Sequence, residues 1–193
     1  LKNKIERMKR LLFILTVYCC VIVGCAQQAI TPETALNAYV HNDDRTWGWE
    51  VRNTYEMDET KVYSLLFISQ KWHGILWKHE LIIFVPESLK QDGALLFVDG
   101  GSINEGIPRF AKEDDGFLLF LSALANRNNA LVCVLKQVPN QPLYGGLKED
   151  ALISYTLNEF RKDKDYSWPL LFPMTKTAYK AMDAVQEFAT QEL

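Results

Sequence analysis

Two segments of this chain carry residue types that could do chemistry. The first is Gly100-Gly101-Ser102-Ile103-Asn104-Glu105-Gly106, which follows the apolar run Ala94-Leu95-Leu96-Phe97-Val98 and Asp99. Glycines directly after a buried strand let the backbone turn sharply and present N–H groups outward. Such donors, about 3 Å from a developing oxyanion, are what acyl transfer needs, and one of them is worth about 3–4 kcal/mol of barrier. The same residues also suit a plain strand-to-helix turn. A dinucleotide loop fits less well, because G-x-G-x-x-G is absent and no acid closes the following strand. The second segment is Lys136-Gln137-Val138-Pro139-Asn140-Gln141-Pro142, which leaves the apolar run Ala130–Leu135. The carboxyl edge of an open α/β sheet is where ligands bind, so Gln137, Asn140 and Gln141 are candidates to orient a substrate carbonyl or hydroxyl. Alternatively, two prolines fix the loop while its amides satisfy its own backbone.

The other chemically capable residues fall into no pattern. A nucleophile elbow, G-x-S-x-G, occurs nowhere in the 193 residues, and without one around it Ser102 is a poor nucleophile. His41, His73 and His79 follow no ligand spacing, so no metal site is expected, and no cofactor either. Glu149 and Asp150 precede an apolar helix and answer its dipole. Cys133 lies in an apolar strand, where a buried, inert thiol is expected. Trp47, Trp49, Trp72, Trp77 and Trp168 are too scattered for a sugar platform and read as packing.

The elements that must position these segments read as follows. Thr31-Pro32-Glu33 opens a short helix to about Val40 as N-cap, N1 proline and first-turn acid. Trp47 to Met57 alternates loosely, as a strand does. Val62–Gln70 and Glu80–Val85 are β-rich and could pair antiparallel across a loop carrying Trp72, Gly74 and Trp77. The pattern then changes to strand–helix alternation. Ala94–Val98 is continuously apolar, the mark of a strand buried on both faces. Phe117–Arg127 is a helix, Ala130–Leu135 a second core strand, Asp150–Phe160 a helix. Pro173–Phe188 is another, with Ala178, Ala181, Met182, Val185 and Phe188 as its apolar stripe. Alternating strands and helices imply parallel pairing and right-handed crossovers. The fold class is α/β.

Composition sets the outer bounds. Apolar residues make up 48% and aromatics 12%, enough for a packed core. A net charge of −3 gives no basic footprint for nucleic acid. Lys2, Lys4, Arg7, Lys9 and Arg10 precede the uncharged run Leu11–Val23, which is shorter than the ~20 residues a membrane span needs. It ends in Ile22-Val23-Gly24-Cys25, which resembles a bacterial lipobox. Residues 1–25 are therefore expected to be a lipoprotein signal peptide with its start at Met8, residues 26–30 a tether, and Cys25 the lipidated residue that holds the protein to the membrane. The expected location is the bacterial cell envelope, at the outer membrane or periplasmic face.

Taken in order, several of these segments resemble the PhoPQ-activated pathogenicity-related protein family. The resemblance is carried by Gln70-Lys71-Trp72, Trp77-Lys78-His79, the stretch from Ala94 to Ser102, Leu135–Pro142, Glu149–Thr156 and Pro169–Phe188. It implies an exported α/β-hydrolase-like protein about twice this length. It further implies that residues 31–193 form the N-terminal half of the domain, with the serine elbow following the segment matching 173–188. Only the donor loop Gly100, Gly101 and Ser102 then carries over; nucleophile, acid and histidine do not. The expectation is a truncated hydrolase scaffold, inactive by itself. The strand order 1-2-4-3-5 usual for hydrolases would leave Ala94–Val98 as a sheet edge, open to a C-terminal half or to self-association. The alternative is a non-catalytic surface binding or interaction module.

Overall fold

The computed structural model describes residues 30–193. The expected signal peptide, its start at Met8 and the lipidation site Cys25 lie outside the described residues. No described helix is long and apolar enough to cross a membrane.

The chain runs α1 (Pro32–Val40), β1 (Gly48–Met57), β2 (Thr60–Trp72), β3 (Ile75–Pro86), β4 (Ala94–Val98), β5 (Ile103–Asn104), β6 (Ile107–Pro108), α2 (Gly116–Asn128), β7 (Leu131–Leu135), α3 (Glu149–Asp163) and α4 (Leu171–Glu192). β1, β2 and β3 form an antiparallel meander, β7 joins β3 antiparallel, and β4 lies parallel to β7 beyond it, giving the order β1-β2-β3-β7-β4. This is the α/β architecture expected, with α2 as the crossover between the two parallel strands.

Pleat alternation assigns the two faces. On one face, Tyr63, Leu65, Phe67, Leu81, Ile83, Cys133 and Leu135 meet Ala181, Ala184, Val185 and Phe188 of α4. On the other, Val62, Ile82, Phe84, Val132 and Val134 meet Leu118, Leu121 and Ala125 of α2. Every residue of β7 is buried, because it has a strand on each side and a helix on each face. Cys133 within it is a free thiol pushed up to about 12 by burial.

Several expectations are corrected. Trp72 and Trp77 are strand residues, not loop residues. The β2–β3 connection is the two-residue turn His73-Gly74, both at positive φ, which a glycine in second place makes easy. Trp72, Trp77, Trp168, Tyr144 and Tyr155 are not scattered but meet in one aromatic cluster under α3, where they act as packing. Met182 is 53% exposed rather than part of the buried stripe. Lys176 instead lies on the inner side of α4, its Nζ 2.5 Å from Asn42 Oδ1 and 3.5 Å from Asp44 Oδ2. β4 is not buried on both faces. It is the sheet edge that the strand order called for, with Leu95 47% and Val98 51% exposed, because no described strand or helix covers its outer side.

Candidate functional site

The parallel pair Val98↔Leu135 brings the carboxyl ends of β4 and β7 together, and with them the two segments singled out in the sequence. Beyond the strands the two loops stay joined. Asp99 N–H donates to Leu135 O at 2.8 Å, Val138 N–H to Asp99 O at 3.1 Å and Gln137 N–H to Gly100 O at 3.0 Å. Lys136 Nζ lies 2.9 Å from Asp99 Oδ2 above this seam.

The donor loop is fixed at both ends and open in the middle. Gly100 N–H is capped by Asp99 Oδ1 at 2.8 Å. Ser102 O accepts from Arg109 N–H at 3.0 Å, and Ile103 N–H donates to Gln141 O at 2.7 Å. Between these ties, the N–H groups of Gly101 and Ser102 have no hydrogen-bond acceptor among the described residues. Gly101 has φ +145°, and a Cβ there would lie 3.1–3.2 Å from Cγ, N and Nε2 of Gln137. Glycine is required on both counts.

Gln137, Asn140 and Gln141 are all buried, and their amides are engaged. Gln137 Oε1 accepts from Glu80 N–H at 2.8 Å, and its Nε2 donates to Arg109 O at 3.0 Å. Asn140 Nδ2 donates to Lys78 O at 2.5 Å. Gln141 Oε1 accepts from Glu149 N–H at 2.9 Å while its Nε2 donates to the Glu149 carboxylate. The amides thus bond to neighbouring segments, at Glu80, Arg109, Lys78 and Glu149, and not to the loop's own backbone. These residues hold the donor loop from behind rather than reaching into open space.

Two residues not singled out as candidates complete this support. Glu80 is buried, and its carboxylate accepts from Ser64 Oγ and from Ala111 N–H, each at 2.7 Å. Burial raises its pKa, opposed by those two bonds and by the charges of Lys136 and Arg52. His79 is fully buried. Its Nδ1–H donates to Lys136 O at 3.1 Å, and its Nε2 lies 3.0 Å from Ser69 Oγ, which lies 2.9 Å from Thr177 Oγ1. Ser69 stands at a register shift in β2, the kind of bulge that redirects a side chain. This hydroxyl–imidazole pair resembles a nucleophile and its base, but both groups are sealed in the core where no substrate reaches. A polar Lys78-His79-Glu80 step inside an otherwise apolar strand was the signal for both residues.

Burial pushes His79 down to about 4. The unfolded chain takes up this proton near the usual 6.5 and the folded chain does not until about 4. Its contribution is thus complete above 6.5 and is lost as pH falls, by about 3 kcal/mol once pH 4 is reached. Glu80, raised, contributes the opposite slope above its ordinary range. The expected result is a His79 ring proton resonance that stays unshifted by NMR down to pH 5. A midpoint near 6.5 in the folded protein contradicts the buried network.

The β5–β6 hairpin lines a cleft of about 610 Å³ together with Ser102, Pro142 and Lys148. The hairpin, turned at Glu105-Gly106 with both φ positive, was not foreseen. Ser102, whose N–H has no acceptor among the described residues, lines this cleft, and such an amide donor can bind a carbonyl or carboxyl oxygen and polarise it.

The chain is 32% identical over 166 residues to autocrine proliferation repressor protein A of Dictyostelium discoideum, an alignment covering 80% of this chain and 33% of that protein. It therefore spans about a third of the length of the curated relative it matches. Among solved structures it is similar in fold to acetyl xylan esterase 1 from Thermoanaerobacterium sp. JW/SL YS485, with a TM-score of 0.50 at 16% identity. That match covers 80% of this chain and 45% of the esterase. The family model for PhoPQ-activated pathogenicity-related protein matches residues 36–193, nearly all that the structure describes. By that match and by the curated relative, the chain belongs to the PhoPQ-activated pathogenicity-related protein family.

Proposed function

We propose that this chain supplies the oxyanion-donor half of an α/β-hydrolase-type acyl-transfer site, which becomes active only when a following segment adds the nucleophile. The observation that carries the reading is the pair of N–H groups at Gly101 and Ser102, unpartnered among the described residues and held at the carboxyl end of β4 in an esterase-like fold. In such folds one oxyanion donor comes from the loop after the corresponding strand and the other from the residue after the nucleophile. The chain's own part is positional: Gln137 and Glu80 fix the loop, and Gly101 and Ser102 present the donors.

The test is a chimera in which residues 36–193 replace the matching third of the Dictyostelium relative, assayed with 4-nitrophenyl acetate. Turnover is expected in the chimera and not in the 193-residue chain. Gly101→Val should lower turnover by about 10²–10³-fold. A fully folded chimera without turnover on acyl esters overturns the catalytic reading and favours a surface binding module.

The same proposal includes export and anchoring through Cys25, supported by the Ile22-Val23-Gly24-Cys25 sequence after an apolar run. Labelled palmitate should be incorporated by bacteria expressing the chain. Label that persists in Cys25→Ser removes the anchor from the proposal.

A further inference from the structure

We propose that the cleft in front of the donor loop is a subsite for a carboxylate, so that the favoured ligand is an acyl ester carrying a second, ionised carboxyl group. This rests on Gly101 and Ser102 being the acyl-oxygen donors, and adds which acyl compounds they receive.

The argument starts from charge. Arg109 and Lys148 both line the cleft, and neither has an ion-pair or side-chain hydrogen-bond partner among the described residues. The nearby cation Lys136 differs: it is paired with Asp99 behind the loop. The acid next in sequence to Lys148, Glu149, is not available to it in the same way, because its carboxylate is held by Gln141. Of the residues lining the cleft, only Glu105 is acidic, and it sits at the turn of the hairpin.

The roots of both cations are fixed. Arg109 N–H donates to Ser102 O and its carbonyl accepts from Gln137 Nε2, each at 3.0 Å, which ties the residue to the donor loop. The Lys148 carbonyl accepts from Ala151 and Leu152 N–H at 3.1 and 3.2 Å, at the start of α3. A guanidinium and an ammonium on fixed backbone, in the cleft that Ser102 also lines, form a donor-rich pocket with a surplus of positive charge. Its natural complement has an uncharged carbonyl for the amides and an ionised carboxylate for the cations.

The experiment compares monomethyl succinate with dimethyl succinate, both titrated at low ionic strength and followed by amide shifts in ¹H–¹⁵N spectra of the 193-residue chain. The two differ only in one ionised carboxyl group. The monoester is expected to bind about tenfold or more tightly than the diester. That preference should vanish in the Arg109→Gln/Lys148→Gln variant. Both side chains are exposed, so the variant keeps the fold, which its spectrum verifies. Equal affinity for the two esters, a preference that survives the double variant, or no binding of the monoester overturns the carboxylate subsite. A preference that depends on Arg109 and Lys148 but leaves the Gly101 and Ser102 amides unshifted keeps the subsite and refutes the donor assignment.

Discussion

Replacing Gln137 by leucine should destabilise the fold by about 2–6 kcal/mol, with the donor loop released first. The side chain is fully buried and its two ends are committed to backbone groups of different segments, Glu80 N–H in β3 and Arg109 O after β6. Leucine fills the space but satisfies neither group, and each buried polar group so orphaned costs about 1–3 kcal/mol. Against a net domain stability of about 5–15 kcal/mol, the loss is large enough to read directly from urea denaturation. A drop below about 1 kcal/mol would show that water replaces the amide at no cost and that the loop is not held this way.

A double-mutant cycle with Gly101 sharpens the prediction. Gly101→Ala places a Cβ within 3.1–3.2 Å of Gln137 at φ +145°, so its cost combines backbone strain with a clash against that one side chain. In a Gln137→Ala background the clash with Cγ and Nε2 disappears while the strain and the backbone contact remain. The two substitutions should therefore be non-additive, with a coupling of about 0.5–3 kcal/mol. Strict additivity would separate the two residues and undo the claim that one supports the other.

The same residues show what could be read in advance. The types at 137, 140 and 141 were legible as unusual, since three amides and two prolines leave a core strand within one short loop. Their role was not, because Gln137 finds its partners 57 and 28 residues away in sequence, at Glu80 and Arg109. Local pattern records what a residue is, not who arrives to meet it. Strands show the same division. Leu131–Leu135 and Ala94–Val98 are both unbroken apolar runs, yet the first is wholly buried and the second half-exposed. Only the order of strands distinguishes them, and that order came from the family resemblance rather than from periodicity. The His73-Gly74 and Glu105-Gly106 turns each carry a single glycine cue, too little to separate a two-residue hairpin from a longer loop.

The free edge of β4 leads to the second large effect. The purified chain should associate reversibly as its concentration rises and bind a hydrophobic dye, and Leu95→Lys/Val98→Lys should weaken association at least tenfold. β4 has β7 on one side only, so its outward N–H and C=O groups are unpaired among the described residues. Beside it lie Phe117 at 39% and Phe120 at 55% exposure, with Phe97, Phe117 and Phe120 in ring contact at 6.0 and 6.4 Å. An unprotected apolar edge of this kind is a template for another strand. Burying what remains exposed of Leu95 and Val98 is worth about 1 kcal/mol for each side chain, and the ladder hydrogen bonds add to that. Lysine at both positions puts like charge on each face of the edge in both copies and so disfavours self-pairing, while the half-exposed sites cost the monomer little, within about 0.5–1 kcal/mol of wild-type stability. Sedimentation velocity over a wide concentration range measures the association, and a thermal melt checks the monomer. A wild-type chain that stays monomeric and dye-silent throughout would mean that the edge is already protected, and the pairing surface would have to be sought elsewhere.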